Sequence, residues 1–274
     1  MTERRWDAEA VGAPLGPGSL LWGIAGDPRS LLTGSAAGIM QLMLPGLGAG
    51  VTEHSNFFDD PLDRIYRSVP LIWGSIFSDD EAGAEVGRTI RDKHPEIKGT
   101  DEQGRRYHAL DPDVYWWAHA TFTWEMFRAR ALYHPFPLRR RLQEQLYAET
   151  VTWYRRYGVS DRPVPPTLRD FEARFDDICR HELELTPAVA WVFDREANPA
   201  SKAQRVRLAD PLRALEPLAT HSASELLRLL VYGAMPDVVR RRFDLPWSNA
   251  DRAAFAGVVA AVRAAAPLVA RGAL

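Results

Sequence analysis

Helix-start signals recur along this chain and constrain its fold more than any other feature. Asp27-Pro28, Asp60-Pro61 and Asp111-Pro112 each set a side-chain acceptor in front of a proline. The carboxylate can accept from the first free N–H groups of a helix, and proline at the first turn loses no hydrogen bond there. The stretch SDDE (78–81) adds a capping box, with Ser78 accepting from the Glu81 N–H and the Glu81 side chain reaching back. Between these starts the apolar residues mostly recur every three or four positions, and alternating strand patterns are scarce.

The spacing predicts helices over 28–44, from Pro61 onward, from the SDDE box to about Lys93, and over 112–132. Others are expected at roughly 138–157, 167–182, 208–216, 222–232, 236–243 and 249–264. His94 precedes Pro95, which biases it out of the helix before it. KGTDEQGRRYHAL (98–110) reads as a short β-hairpin or tight loop, with Gly99 and Gly104 for its turns. PVPP (163–166) is a rigid turn, not a domain boundary. The first 18 residues are rich in Gly and Pro and read as an extended arm. The expectation is one all-α domain over 19–274, mostly helical, with one small hairpin.

Composition removes several function classes. A net charge of −2 without a long basic run gives no footprint for nucleic acid. The single cysteine, Cys179, excludes an internal disulfide and cysteine-rich zinc sites, and fits a reducing compartment. The N-terminus lacks the charged-then-apolar layout of a signal peptide, so a cytoplasmic location is expected. GIMQLMLPGLGAGV (38–51) and AAFAGVVAAVRAAAPLVA (253–270) are too short or too interrupted to span a membrane. Either can touch a membrane surface, so peripheral membrane contact stays open. Nothing in the sequence specifies an oligomeric state.

The helix that starts at Pro112 carries the most chemistry. On a helical wheel, Tyr115, Trp116, Phe122 and Thr123 share the face of His119, with Met126 and Phe127 a turn further. Glu125 and Arg128 fall on the opposite side. An ionisable ring on a wide aromatic stripe has two readings. One is a core histidine bonded to a backbone carbonyl. The other is a metal ligand, with Trp116, Phe122 and Thr123 lining a cofactor. Non-haem iron or zinc needs more carboxylates or histidines at neighbouring positions, and no HExxH occurs. Among metals the face favours haem, which needs one axial histidine and flat apolar walls.

The preceding helix puts Ala84, Gly87, Arg88, Arg91 and His94 on one stripe. Its small residues suit a close approach of a ring plane. Arg88 and Arg91 suit haem propionates or a bound ligand. The other reading is a solvated basic face paired with Glu85 and Asp92.

The segment RTIRDKHPEIKGTDEQGRRYHALDPDVYWWAHATFTWEMF (88–127) resembles a family of actinobacterial and fungal proteins, long known as a domain of unknown function. The family includes the rubber oxygenase (latex clearing protein) and the mycophenolic acid pathway oxygenase. The resemblance is carried by Arg91, His94, Ile97, Gly99, Gly104, Arg105, Tyr107, Ala109 to Pro112, Trp117, His119, Ala120 and Thr121. GPGSLLWGIAGDPRSLL, EHSNFFDDPLDRIYRS, LYAETVTWYRRYGV and YGAMPDVVRRRFDLPW extend it over most of the chain.

The resemblance implies a helical fold with a globin-like pocket holding haem b, His119 as iron ligand, and Arg91 and His94 as catalytic residues on the opposite side. It further implies O2 as co-substrate, an apolar isoprenoid or lipid-like alkene, and oxidative cleavage of its double bond. Where the rubber-cleaving members carry a lysine and a threonine, this chain has His94 and Pro95. Those members also carry a catalytic glutamate upstream; this chain has the acidic patch Asp79-Asp80-Glu81 instead, and no residue of it is aligned with that glutamate. Carriage or sensing of haem or an apolar ligand without turnover is the competing class, followed by a helical scaffold whose histidine is structural.

Overall fold

In the computed structural model, residues 15–193 and 216–272 are described. The helices are α1 (Leu20–Ala25), α2 (Leu31–Leu42), α3 (Pro45–His54), α4 (Pro61–Ile76), α5 (Asp80–Arg91), α6 (Pro112–Tyr133) and α7 (Arg140–Arg155). They continue as α8 (Leu168–His181), α9 (Pro187–Phe193), α10 (Glu216–Ala234), α11 (Asp237–Arg242) and α12 (Asn249–Gly272). Strands β1 (Lys98–Thr100) and β2 (Arg106–His108) form the hairpin. The mostly helical fold with one small hairpin is therefore the observed one. The first 14 residues of the expected arm and most of the expected 208–216 helix lie outside the described residues, while Leu15 is already core.

Asp27 and Asp111 cap where the sequence places them, and the cap of the SDDE box is shifted. Asp111 Oδ1 accepts from the Asp113 and Val114 N–H groups, with Pro112 behind it. The SDDE box forms one residue later than expected: Asp79, not Ser78, caps α5, accepting from Ala82 N at 2.9 Å. The Ser78 carbonyl is instead held by the Arg156 guanidinium. The single helix expected over 28–44 is a 3-10 turn (Pro28–Ser30) followed by α2. Pro45 then opens α3, because the residue before it, Leu44, is pushed to an extended conformation (φ −76°, ψ 124°).

Helix α6 lies at the centre and is buried on most sides: Trp116, Trp117, Ala120, Thr121 and Met126 all sit in the core. Such an all-round apolar helix belongs inside a protein. Helix α2 runs against it. Trp117 Nε1 donates to the Met40 carbonyl (2.9 Å), and Gln41 Nε2 donates to Ala118 O and Thr121 Oγ1. The apolar run 38–51 is thus largely interior. No single helix among the described residues is long and apolar enough to cross a membrane. Pro28–Leu42 and Pro45–His54 pass that test only together, and they bend by 94°.

Arginines close helix ends elsewhere. Arg156 donates to the carbonyls of Ser75, Ile76 and Ser78 at the end of α4 and pairs with Asp80. Arg128 does the same for Gly233 and Ala234, and Arg263 for Ala131 and Leu132. Each guanidinium satisfies carbonyls that a helix end leaves free, at the negative pole of its dipole.

The glycines and polar residues of the hairpin motif serve packing. Gly99 pairs with Tyr107 across the ladder, and a Cβ there would meet the Tyr107 hydroxyl at 2.7 Å. That hydroxyl donates to Glu53 Oε2 at 2.5 Å and lies 3.2 Å from His54 Nε2, tying the hairpin to the end of α3. Arg105 forks onto Glu184.

Candidate oxygenase site

His119 projects from the middle of α6 toward α7 and is 5% exposed. Its Nε2 lies 2.9 Å from the Thr150 carbonyl, so Nε2 carries the proton and donates. The other ring nitrogen, Nδ1, is buried without a partner among the described residues. Burial lowers the pKa to about 3, against the opposing pull of the Thr150 carbonyl. The result is a neutral imidazole with a bare lone pair, held in one tautomer. Three rings surround it: Trp153 at 4.6 Å, Tyr154 at 5.0 Å and Tyr157 at 5.8 Å between centroids.

Beside this ring lies a cavity of about 10 Å³. Trp116, His119 and Thr123 of α6 line one wall; Tyr147, Val151 and Tyr154 of α7 line another, and Phe171 of α8 closes it. Three expected cofactor contacts, Trp116, His119 and Thr123, therefore meet at one place. Phe122 does not line the cavity; it lies against Trp153, 6.0 Å away.

Arg88, Arg91 and His94 stand elsewhere. Arg88 is exposed. Arg91 pairs with Asp92 and donates to the Gly158 carbonyl. His94 has Nδ1 2.7 Å from the Ile90 carbonyl and its ring 5.8 Å from Tyr115. Tyr115 in turn stacks edge-on against Tyr157, which touches His119. Tyr115 and Tyr157 thus lie between His94 and the His119 ring. The small residues of α5 meet backbone: a Cβ on Gly87 would lie 2.3 Å from the Arg156 carbonyl oxygen.

Several residues of the site are absent from the sequence reading. Tyr147, Thr150, Val151 and Tyr154 fall at i, i+3, i+4 and i+7 of α7, a stripe that the wheel applied to α6 would also have found. Glu149, also on α7, accepts from the Leu21 N–H (2.7 Å) and Gln145 Nε2, supporting the start of α1. Glu125, on the side of α6 away from His119, is buried and pressed against Gly34, and burial raises its pKa to about 8. His108 contacts the Pro95 carbonyl and His181 is solvent-facing beside Asp177; the His221 side chain lies outside the described residues.

The family model for the catalytic domain of ER-bound oxygenase mpaB/B′ and rubber oxygenase matches residues 22–264. The chain belongs to this oxygenase family. No curated protein and no solved structure gives a significant match.

Rubber oxygenase, the family's Lcp member, uses haem, and the site meets that group on one count of two. The donor fits: a neutral imidazole with an unpartnered buried Nδ1 and a fixed Nε2–H has the chemistry of a metal donor, oriented as a ligating histidine is by its second hydrogen bond. The room does not: cofactor sites run to about 300–1,000 Å³, and the cavity beside His119 holds about 10 Å³. Haem can be seated here only if the aromatic side chains around the cavity give way. Among the described residues no three His, Cys, Asp or Glu side chains converge as a set for a metal ion.

Proposed function

We propose that this member of the oxygenase family acts with haem b and O2 on an apolar isoprenoid or lipid-like alkene, cleaving the double bond to two carbonyl products. The observation that carries the reading is the unpartnered Nδ1 of a buried, neutral His119 in a chain matched by an oxygenase family model over 22–264.

When bound, haem b supplies the redox-active iron for O2 chemistry. The chain's own part is as follows. His119 offers Nδ1 as ligand, while its Nε2–H stays on the Thr150 carbonyl and keeps the ring from turning. Trp116, Val151 and Phe171 exclude water and present an apolar wall suited to a hydrocarbon chain. Arg91 and His94 are proposed to act from the opposite side. Tyr115 stands between, and its buried hydroxyl has no partner among the described residues. Rotation of that side chain is the movement that would join the two sides.

A specific observation favours the competing reading, a structural histidine: the Thr150 bond and the small size of the cavity are what a packed core needs. Incubation of the haem-loaded protein with alkenes of increasing length under O2, with mass analysis of products, separates the two. Aldehyde or ketone products, lost in His119→Ala, are expected. Burial of each methylene contributes about 0.8 kcal/mol, so affinity should climb with chain length. Binding without carbonyl products would favour the carrier reading. Affinity flat with length would remove the apolar substrate.

A further inference from the structure

The loop between α6 and α7, His134-Pro135-Phe136-Pro137-Leu138-Arg139, presents an unusual surface. Phe136 is 71% exposed, the most exposed large apolar side chain among the described residues. Prolines on both sides of it fix their own φ and carry no N–H. The Phe136 N–H between them is satisfied by His134 Nδ1 at 3.3 Å. The Leu138 carbonyl accepts from Gln143 Nε2, and the Arg139 carbonyl from the Leu142 and Gln143 N–H groups. The tip therefore holds out an aromatic ring between two prolines, on a backbone of restricted φ.

Charge surrounds the ring. Arg139 and Arg141 are exposed and make no ion pair among the described residues, whereas Arg140 between them is engaged with Glu172 and Glu144. Leu142 adds further exposed apolar surface. Leu31 lies at the same end, since its neighbour Arg29 donates to the Tyr133 carbonyl and pairs with Asp27. The nearby acids Asp27, Glu144 and Glu172 are held by two arginines, Arg29 and Arg140, so with Arg139 and Arg141 the net charge at this end is positive.

We propose that this end of the molecule docks on an anionic phospholipid surface, with Phe136 entering the headgroup–acyl boundary and Arg139 and Arg141 on lipid phosphates and carboxylates. An exposed apolar anchor ringed by cations matches such a surface in both components. The docking stands on these residues alone. Its purpose, to draw an apolar substrate toward the α6–α7 cavity, rests on the function proposed above.

The test is co-sedimentation of the full chain with phosphatidylcholine–phosphatidylserine vesicles and with phosphatidylcholine alone. Wild type should pellet with the anionic vesicles, less with neutral ones, and less at high salt. Phe136→Ser should weaken binding about tenfold or more. Arg139→Gln and Arg141→Gln should each weaken it about fivefold. All three positions are exposed, and unchanged far-UV circular dichroism checks the fold. Wild type that stays in the supernatant, or Phe136→Ser that pellets as wild type does, overturns the proposal. A Phe136-dependent dimer in gel filtration without vesicle binding would make the face a contact between copies instead. Sedimentation needs no turnover. A chain that binds vesicles but oxidises no alkene fails the functional reading alone, and one that oxidises alkenes but ignores vesicles fails this one.

Discussion

His119 and Glu125 are six residues apart on α6 and are buried in opposite senses. Burial holds the imidazole neutral, with a pKa of about 3 against an ordinary 6.5. The unfolded chain takes up this proton below pH 6.5 and the folded chain does not until about pH 3, so this group costs stability as pH falls through that window. Glu125 works the other way. Its folded pKa is about 8 against an ordinary 4.5, so the unfolded chain loses the proton first and stability falls as pH rises from 4.5 to 8. Glu125→Gln should therefore stabilise the fold at pH 8 by a few kcal/mol and leave it nearly unchanged at pH 4, since a tenfold change in proton affinity is worth about 1.4 kcal/mol. Urea unfolding at the two pH values measures this; equal effects at both would show that the carboxyl is not held neutral. The wheel placed Glu125 away from the aromatic stripe of His119, but it could not show that α2 covers that side as well, with Gly34 against the carboxyl.

Helix starts were legible because a cap is a local event: Asp27 and Asp111 accept from N–H groups two or three residues on. Helices α1, α3 and α9 were not legible. PGLGAGV in α3 carries glycines that disfavour a helix on propensity, and tertiary packing overrides that. Gly48 is held so close to Leu42 and Thr186 that a Cβ would lie 2.5 Å from the Leu42 carbonyl. Close glycine contact also docks α5. Gly87→Ala should force α5 off the Arg156–Tyr157 backbone and cost about 1–3 kcal/mol. Gly104→Ala, at φ 79° in the open hairpin turn, should cost about 1 kcal/mol through backbone strain alone. Thermal unfolding ranks the two. A smaller loss at Gly87 than at Gly104 would contradict the docking of α5 described above.

Across the whole molecule, the site is built where α6, α7 and α8 meet. Its α6 wall was legible because Trp116, His119 and Thr123 share one helical face. Its α7 and α8 walls were not, because bringing Thr150 to His119 spans 31 residues of chain and depends on how helices pack, not on any local pattern. The same packing sets Tyr115 and Tyr157 between His119 and His94, an arrangement no single-helix projection can show. Ligation of haem through His119 is the central claim, and it requires both a free imidazole nitrogen and an opening of the aromatic walls. The most direct test is the absorption spectrum of the purified chain titrated with haem b, beside that of His119→Ala. Wild type should develop a Soret band that saturates at one haem per chain, and His119→Ala should lose it or bind far more weakly while keeping its helical circular dichroism. A wild-type chain that takes up no haem, or a variant whose bound spectrum is unchanged, would contradict the assignment and leave His119 a core histidine bonded to Thr150.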